Sequence, residues 1–300
     1  MEWGTPVVRQ IVLTFMISNV LLSASAQAFV CTRASASGPS LAWGERNIEL
    51  RVSNVPGAEI DVGVLAEALG FAVEQWTDSD SCSDMVLSLG EITNHKTVGF
   101  DWAAGADDPA NKNIVVFRKS EDEATVDRWL HPLSAIALTT VTYVNSNGTI
   151  LDADIELNDA YYTFTNCDPE EDCAIAVDLK NTLTHEVGHV LGLDHPPFNA
   201  PESVGATMAS SAPEGEIEKR DLAEDDINGL CFIYPFGEDN QECYGASRQE
   251  PLDVTIQKSD CQETGLFGEL AIIGGLPWLL RRRRRIQSRS VTRGGGACRD

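Results

Sequence analysis

The residues best suited to chemistry lie in eleven positions, His185 to His195, which read HEVGHVLGLDH. Three of the five histidines of the chain fall within this stretch. His185 and His189 are four residues apart, so on a helix both side chains leave one face with their Cβ atoms about 5–6 Å apart. Two imidazoles at this spacing can bind one Zn²⁺ ion through neutral ring nitrogens. The spacing therefore predicts a metal-binding helix.

The neighbouring residues predict a catalytic zinc site rather than a closed structural one. Glu186 follows the first ligand directly, where a carboxylate can act as general base on a water molecule held at the metal. Gly192 can adopt the left-handed conformation that ends a helix, so the chain can turn and bring His195 back as a third ligand. Three nitrogen ligands leave one zinc position open. We therefore expect one catalytic zinc ion, ligated by His185, His189 and His195.

Plainer interpretations remain open. The histidines could be ordinary surface residues, although five suitable positions in eleven residues of a histidine-poor chain argue against this. Zinc could also be bound without chemistry, which would leave Glu186 without a clear use. Three functions are thus compared: an endopeptidase, a catalytically inactive zinc-containing surface-binding module, and a structural zinc domain whose fourth ligand could be Cys31.

Hydrophobic periodicity predicts the elements that must position these residues. Asp178 is the expected N-cap of the histidine-bearing helix, and a final helix is expected from Asp221, at a capping-box pattern, to about Tyr234. An earlier helix, capped by Asp61, has apolar residues at helical spacing. Strands are predicted at Ile48–Val52, Met85–Leu89, Asn113–Phe117, Ala137–Val144 and Thr149–Leu157. This order predicts one α+β domain.

The motif His185-Glu186-x-x-His189-x-x-Gly192-x-x-His195 resembles the signature of the metzincin zinc endopeptidases. Met208 resembles the methionine turn of that clan. With the segments DADIELND (152–159) and LAEDDINGLCFIY (222–234), it makes about Leu41 to Phe236 similar to a matrixin catalytic domain, whose expected bounds are residues 29–236. The resemblance implies a metzincin-like α+β fold with a twisted, mostly parallel sheet, an antiparallel edge strand, an active-site helix and a C-terminal helix. It also implies a bacterial relative of the matrix metalloproteinases that cleaves proteins or peptides.

The chain also departs from the matrixin pattern. Pro196 stands where matrixins typically have serine, and the cysteine-switch propeptide of animal matrixins is missing. The second, structural zinc of the family needs histidines before the catalytic helix. His95 and His131 are the candidates there, and we interpret them as ordinary polar histidines.

One predicted strand is expected to hold the substrate. An extended peptide can bind by pairing with an exposed strand edge. In the matrixins the strand corresponding to Ala137–Val144 borders the cleft, so the resemblance implies that the substrate pairs with the backbone at Ala137, Thr139, Thr140 and Val141. The alternative is an interior strand that is already paired on both sides. The loop from Pro196 to Glu218 is expected to wall the specificity pocket.

Acidic residues suggest a second metal. Acidic exported proteins often hold Ca²⁺ on surface carboxylates, and Asp154, Glu156 and Asp159 are the candidate calcium ligands. The alternative is that these three are solvated strand-edge residues.

The cysteines fit an oxidising compartment. Six of them can pair in fifteen ways, which sequence cannot distinguish. Cys167 with Cys173 and Cys231 with Cys243 are plausible local loops, and Cys31 would then pair with Cys82.

Both ends are expected to lie outside the catalytic domain. Residues 1–28 have the charge, apolar run and small-residue site of a signal peptide, with an N-terminal membrane anchor as the alternative. Residues 237–263 are expected to form a polar linker. Residues 264–285 combine an apolar segment with five arginines and, together with Cys261, are similar to the C-terminal sorting signals of myxobacterial surface proteins. A hydrophobic helix followed by a basic tail is the alternative for this segment. Residues 286–300 form a polar tail.

Composition limits the partners of the chain. Its net charge of −24 would repel phosphate, so we expect no nucleic-acid partner. We expect a monomer that contacts a membrane only through the C-terminal tail. The expected location is outside the cell or at its surface, with attachment to a bacterial outer membrane as one option.

Overall fold

The computed structural model describes residues 29–77, 82–105, 108, 111–120, 127–167, 175–197 and 205–243, and the backbone of 256–262. The helices are α1 (Val62–Thr77), α2 (Leu179–Val190) and α3 (Glu224–Ile233), with a 3₁₀ turn at Glu218–Arg220. The strands are β1 (Val30–Cys31), β2 (Ala42–Trp43), β3 (Asn47–Val52), β4 (Val86–Leu89), β5 (Asn113–Arg118), β6 (Ala135–Tyr143), β7 (Thr149–Asn158), β8 (Phe164–Thr165), β9 (Val177–Asp178), β10 (Leu193–Asp194) and β11 (Ile256–Gln262).

The main sheet has the strand order β11-β6-β7-β5-β3-β4, and β2 pairs with β7 outside this path. The pairs among β3, β4, β5 and β7 are parallel. In contrast, β6 runs antiparallel to β7, and β11 runs antiparallel to β6. The predicted α+β class, with a mostly parallel sheet and an antiparallel strand, is confirmed.

The predicted periodicities explain how the sheet and the first helix share a core. In β3, alternation buries Ile48, Leu50 and Val52. In α1, the buried face includes Leu65 and Trp76, and the N-terminus is capped where Val64 N–H donates to Asp61 Oδ1 at 2.9 Å. Burying each such aliphatic side chain stabilises the fold by about 1.5–3 kcal/mol.

The histidine-bearing helix α2 is held in this core by two tryptophans. The indole N–H of Trp76 donates to the carbonyl oxygen of Thr184, and that of Trp43 donates to the carbonyl oxygen of Val190, both at 2.8 Å. Leu183 and Val187, on the same helix, are fully buried. The helix is therefore held at its middle by α1 and at its C-terminal end by β2.

The predicted disulfides involving Cys31 and Cys231 were wrong. Cys31 is bonded to Cys243, and Cys82 to Cys231. The reason is that distant segments pair in the fold. Ser83 and Pro235 form an antiparallel β-bridge, and Phe236 N–H donates to the carbonyl oxygen of Cys82. Because Cys31 is in a disulfide, it cannot be the fourth zinc ligand. Cys167 is also disulfide-bonded, and its expected partner Cys173 lies outside the described residues.

Two boundaries differ from expectation. The final helix begins later than Asp221, because Asp226 rather than Asp221 caps it: Ala223 N–H donates to Asp226 Oδ2 at 2.9 Å. Strand β11 lies within residues 237–263, which were expected to be linker. The signal peptide and the C-terminal tail lie outside the described residues and remain predictions. Among the residues that the structure describes, no helix is both long and apolar enough to cross a membrane.

Candidate active site

The N-terminus of α2 is anchored by a buried carboxylate. Asp178 caps the helix by accepting from Asn181 N–H at 2.8 Å, and it also accepts from Cys167 N–H at 3.0 Å. The guanidinium of Arg220 forms a two-pronged ion pair with the same carboxylate, at 2.6 and 2.7 Å. Charge-assisted bonds of this kind fix geometry as well as adding stability. The helix that carries the first two histidines is therefore rigidly placed.

The structure brings the three predicted histidines together. The Nε2 atoms of His185, His189 and His195 form a triangle whose sides are all 3.1 Å. The rings of His185 and His189 are completely buried, and His195 is 9% exposed. Among the described residues, this is the only group of three or more His, Cys, Asp or Glu side chains close enough to share a metal ion.

The hydrogen-bond partners of the histidine rings indicate that the triangle fits a cation. Nδ1 of His185 lies 2.6 Å from the carbonyl oxygen of Thr207, and Nδ1 of His189 lies 2.8 Å from that of Leu193. Each carbonyl requires a donor, which puts the single proton of each neutral ring on Nδ1 and leaves lone pairs on Nε2. Lone pairs facing each other at 3.1 Å repel, and a metal ion between them removes the repulsion. A point about 2.0–2.1 Å from all three nitrogens, the usual Zn–N distance, exists beside the triangle.

The electrostatics favour neutral ligands. Burial lowers the pKa of His185 well below its ordinary value, and the neighbouring His189, Lys219 and His195 lower it further. Metal ligation requires the neutral imidazole. The site is thus prepared for a metal ion at neutral pH.

Gly192 ends α2 and turns the chain back towards the first two histidines, as predicted. Its φ of +89° is left-handed, and its N–H donates to the carbonyl oxygen of His189 at 3.0 Å. A Cβ atom at this position would lie 2.4 Å from the carbonyl oxygen of Leu41. The following strand β10 pairs with β1, which fixes the path that leads to His195.

The methionine turn lies directly beneath the histidines. Met208 is buried, and a Cβ atom at Gly188 would lie 2.2 Å from its sulfur. Only glycine therefore fits at position 188, directly before His189. The carboxylate of Asp226 accepts from Thr207 N–H at 2.7 Å and from Met208 N–H at 3.0 Å. Asp226 thereby holds the carbonyl of Thr207 that orients His185.

Glu186 is held by the sheet. Its side chain is completely buried, and Thr139 Oγ1 on β6 donates to Glu186 Oε2 at 2.6 Å. Because a carboxylate has two oxygens, this bond fixes the plane of the group while committing one of them. The arrangement suits a proton acceptor of defined orientation.

A cavity of about 320 Å³ is bordered by Pro196, the residue that follows the third ligand in sequence. Its lining includes Pro196, the segment after Met208, and Glu216 and Lys219. The Lys219 ammonium is buried and donates to the carbonyl oxygens of Ala209 and Ser211, so its charge is internally solvated. The cavity lies in the loop that was expected to wall the specificity pocket, of which residues 198–204 lie outside the described residues.

The expected substrate strand is only partly as predicted. β6 is antiparallel and borders Glu186, but β7 pairs with one of its edges and β11 with the other, so the prediction of an exposed edge was wrong. The side chains of Ala137, Thr139, Thr140 and Val141 are all buried. A substrate could therefore pair only with backbone groups of this strand, and substrate contact stays a prediction.

The three candidate calcium ligands do not converge. Asp154 accepts from Gly99 N–H and Ile114 N–H, and Asp159 accepts from Ala58 N–H. Glu156 pairs with Arg118 at 2.7 Å and with His131 at 2.8 Å. The acidic residues of β7 are buried rather than solvated, and the partners of Asp154 and Glu156 are protein groups. The other histidine outside the triad, His95, contacts the carbonyl oxygen of Thr97.

Sequence reasoning missed two residues of the site. Thr139 was expected to contact substrate, which stays a prediction, but the bond from its hydroxyl to Glu186 was not foreseen. Asp226 lies in a helix that was recognised, but nothing in its local pattern indicates that it reaches the methionine turn. Three acidic residues in the first turn of α3 were the available signal, and one of them, Asp226, accepts from its own helix and from the methionine turn together.

Comparison with known proteins agrees with this geometry. The matrixin family model (Peptidase_M10) matches residues 72–235. Over 58 residues the chain is 40% identical to "Metalloendoproteinase 5-MMP" of Arabidopsis thaliana, a stretch that covers 19% of this chain and 14% of that protein. The chain thus matches only a small part of the length of that curated relative.

Proposed function

Because the chain belongs to the matrixin family, we propose that it is a zinc-dependent endopeptidase in which Glu186 acts as general base. The observation that carries the proposal is the convergence of three Nε2 atoms next to a buried, oriented carboxylate. The fold is the α+β metzincin fold of the family. A local similarity to a protein named a metalloendoproteinase also supports it.

His185, His189 and His195 would hold the zinc ion, which supplies the Lewis acidity that activates water near neutral pH and polarises a peptide carbonyl. The chain supplies the orientation. The carbonyl groups of Thr207 and Leu193 fix two of the rings, and such outer partners typically strengthen the ligands they hold.

Glu186 would move the protons of the reaction. Thr139 fixes Oε2, and we assign Oε1 the role of taking a proton from the attacking water and giving it to the leaving amine. Burial of the carboxylate strengthens its interaction with charge that develops nearby.

We propose that the substrates are extended segments of extracellular proteins or peptides. An extended peptide lying along β6 would pass Glu186, and a side chain next to the cleaved bond could enter the cavity beside Pro196. The disulfides among the described residues support export, because such bonds persist in oxidising compartments.

The test is Glu186→Gln, which keeps the shape of the side chain and removes the base. We expect zinc content, measured by mass spectrometry of the purified chain, to stay at one ion per chain. We expect turnover of a peptide substrate to fall by about 10²–10⁴-fold. Unchanged turnover would exclude Glu186 as the base, and loss of zinc would mean that this residue holds the metal site together.

A further inference from the structure

The outer edge of β6 is occupied by the chain's own C-terminal segment. β11 runs antiparallel to β6, and five consecutive residues pair, from Ile256 with Thr142 to Asp260 with Leu138. The register then slips, and Gln262 pairs with Ala135. Pairing of this length uses the backbone N–H and C=O groups along the central part of that edge.

The paired segment crosses β6 at the level of the proposed base. Thr139, whose hydroxyl donates to Glu186, pairs with Ile155 on one side and with Ser259 on the other. β11 thus occupies the length of edge along which a peptide would have to lie in order to reach Glu186. One row of backbone groups can pair with only one strand at a time.

We propose that Ile256–Gln262 is an internal competitor for the substrate-binding edge and keeps the protease inhibited until the segment is displaced. The inference rests on the proposed function, because it takes β6 as the strand that binds substrate. β11 binds as an added strand, which is also how extended peptides are recognised at sheet edges.

The covalent connection of β11 to the domain makes it an effective competitor, and cutting that connection would weaken the competition. The Cys31–Cys243 disulfide fixes the chain where the connecting segment, residues 244–255, begins. A tethered strand competes at an effective concentration of about millimolar. Cleavage within the connecting segment would release the strand to the much lower bulk concentration, so proteolysis there would activate the enzyme.

The experiment uses the full chain carrying Lys258→Pro and Ser259→Pro. Neighbouring strand residues direct their N–H groups to opposite sides, so the two prolines together remove at least one donor to β6. The matched control carries Ala246→Pro and Ser247→Pro, outside the paired register. The binding probe is a fluorescent peptide with the sequence of residues 254–263, and the second readout is kcat/KM on a peptide substrate.

We expect the probe to bind the Lys258→Pro/Ser259→Pro chain with a Kd of about millimolar or lower, and not to bind the natural chain or the control. kcat/KM should rise by about tenfold or more in that variant alone. Equal probe binding by all three chains, or equal and measurable turnover by all three, would overturn the inference. If binding distinguishes the chains but none of them cleaves peptide, the edge assignment stands and the proposed catalysis fails.

Hydrogen exchange on the unsubstituted chain provides a test that no folding defect can obscure. With β11 in place, the amides between Leu138 and Thr142 that point away from β7 should be protected. Exchange of those amides at the rate of an open edge would overturn the inference.

Discussion

Two groups of buried titratable side chains lie in this domain, the histidine triad and the acidic residues Asp152, Asp154 and Glu156 of β7. In the triad the three Nε2 atoms face each other, and the outer nitrogens of His185 and His189 contact carbonyl oxygens. On β7 the carboxylates instead receive hydrogen bonds: Glu156 from Arg118 and His131, and Asp154 from two backbone N–H groups.

The groups that face each ligand atom distinguish a metal site from a structural network of hydrogen bonds. Converging ring nitrogens with no proton between them favour a bound cation, whereas buried carboxylates that accept hydrogen bonds from protein donors do not need one. The protonation of the acidic pair agrees: burial raises the pKa of Asp152 to about 6, and burial together with Asp152 raises that of Asp154. This pair therefore takes up protons at a higher pH than ordinary aspartates do.

The largest expected difference between the two groups is in metal content. His189→Ala should remove bound zinc and lower turnover by about 10³-fold or more, because the metal contributes several kcal/mol to the transition state. His131→Ala, in the acidic group, should leave one zinc ion per chain. Metal analysis of both variants checks this, and equal zinc content would contradict the ligand assignment.

Glu156→Gln should destabilise the fold by about 3–5 kcal/mol without changing zinc content, because it removes the carboxylate partner of the buried Arg118. Burial raises the pKa of Glu156, but the bonds from His131 and Arg118 outweigh burial, so the pKa lies below its ordinary 4.5. The ionised network therefore stabilises the fold above pH 4.5, and this stabilisation is lost as the pH falls through the folded-state pKa.

Urea unfolding of the natural chain and the Glu156→Gln variant, at neutral pH and below pH 4.5, tests this window. The stability difference should shrink at the lower pH. The matched control is Glu74→Gln, at an exposed position of α1, which should change stability little at either pH. A difference that does not depend on pH would mean that ionisation of Glu156 does not stabilise the fold.

Asp226→Asn should weaken zinc binding by about 10–100-fold, the usual effect of losing an outer support of a metal ligand. The amide puts a donor where Thr207 N–H and Met208 N–H now donate. Zinc affinity is measured by competition with a chelator. Glu224→Gln, at an exposed position of the same helical turn, is the control. If both variants bind zinc equally, the support from Asp226 does not reach His185.

Thr139→Val should have the smallest effect, a fall in kcat of about tenfold with KM and zinc content unchanged, since only the orientation of Glu186 is lost. Thr139→Ser should restore most of the rate. The control is Thr140→Val on the adjacent position of β6, whose buried hydroxyl has no hydrogen-bond partner among the described residues. A similar fall in kcat in the control would point to a general effect on the strand.

Sequence patterns correctly predicted those elements whose formation depends on neighbouring residues in the chain. The strands β3 to β7, the helices α1 and α2 and the turn at Gly192 follow from periodicity, N-caps and one left-handed residue. The three ligands and Glu186 lie in one short motif, so their spacing alone placed them together on the helix and its return.

What could not be predicted depends on contacts between distant segments. The disulfides join residues 149 and 212 positions apart, and Asp226 and Thr139 reach the site from other elements. The polar sequence of β11 has no alternating apolar face, so periodicity did not predict that it pairs with β6.

The most direct test of the zinc endopeptidase is cleavage of a denatured protein by the purified chain, with and without Glu186→Ala. Each form is also assayed with Lys258→Pro/Ser259→Pro, so that an occupied edge cannot hide activity. We expect the chains with Glu186 to cleave the protein at internal bonds, to lose this activity when zinc is chelated, and to regain it when zinc is added. We expect the Glu186→Ala chains to retain zinc but to cleave nothing. Equal cleavage by the Glu186→Ala chains, or no cleavage by any zinc-loaded chain, would contradict the proposed function.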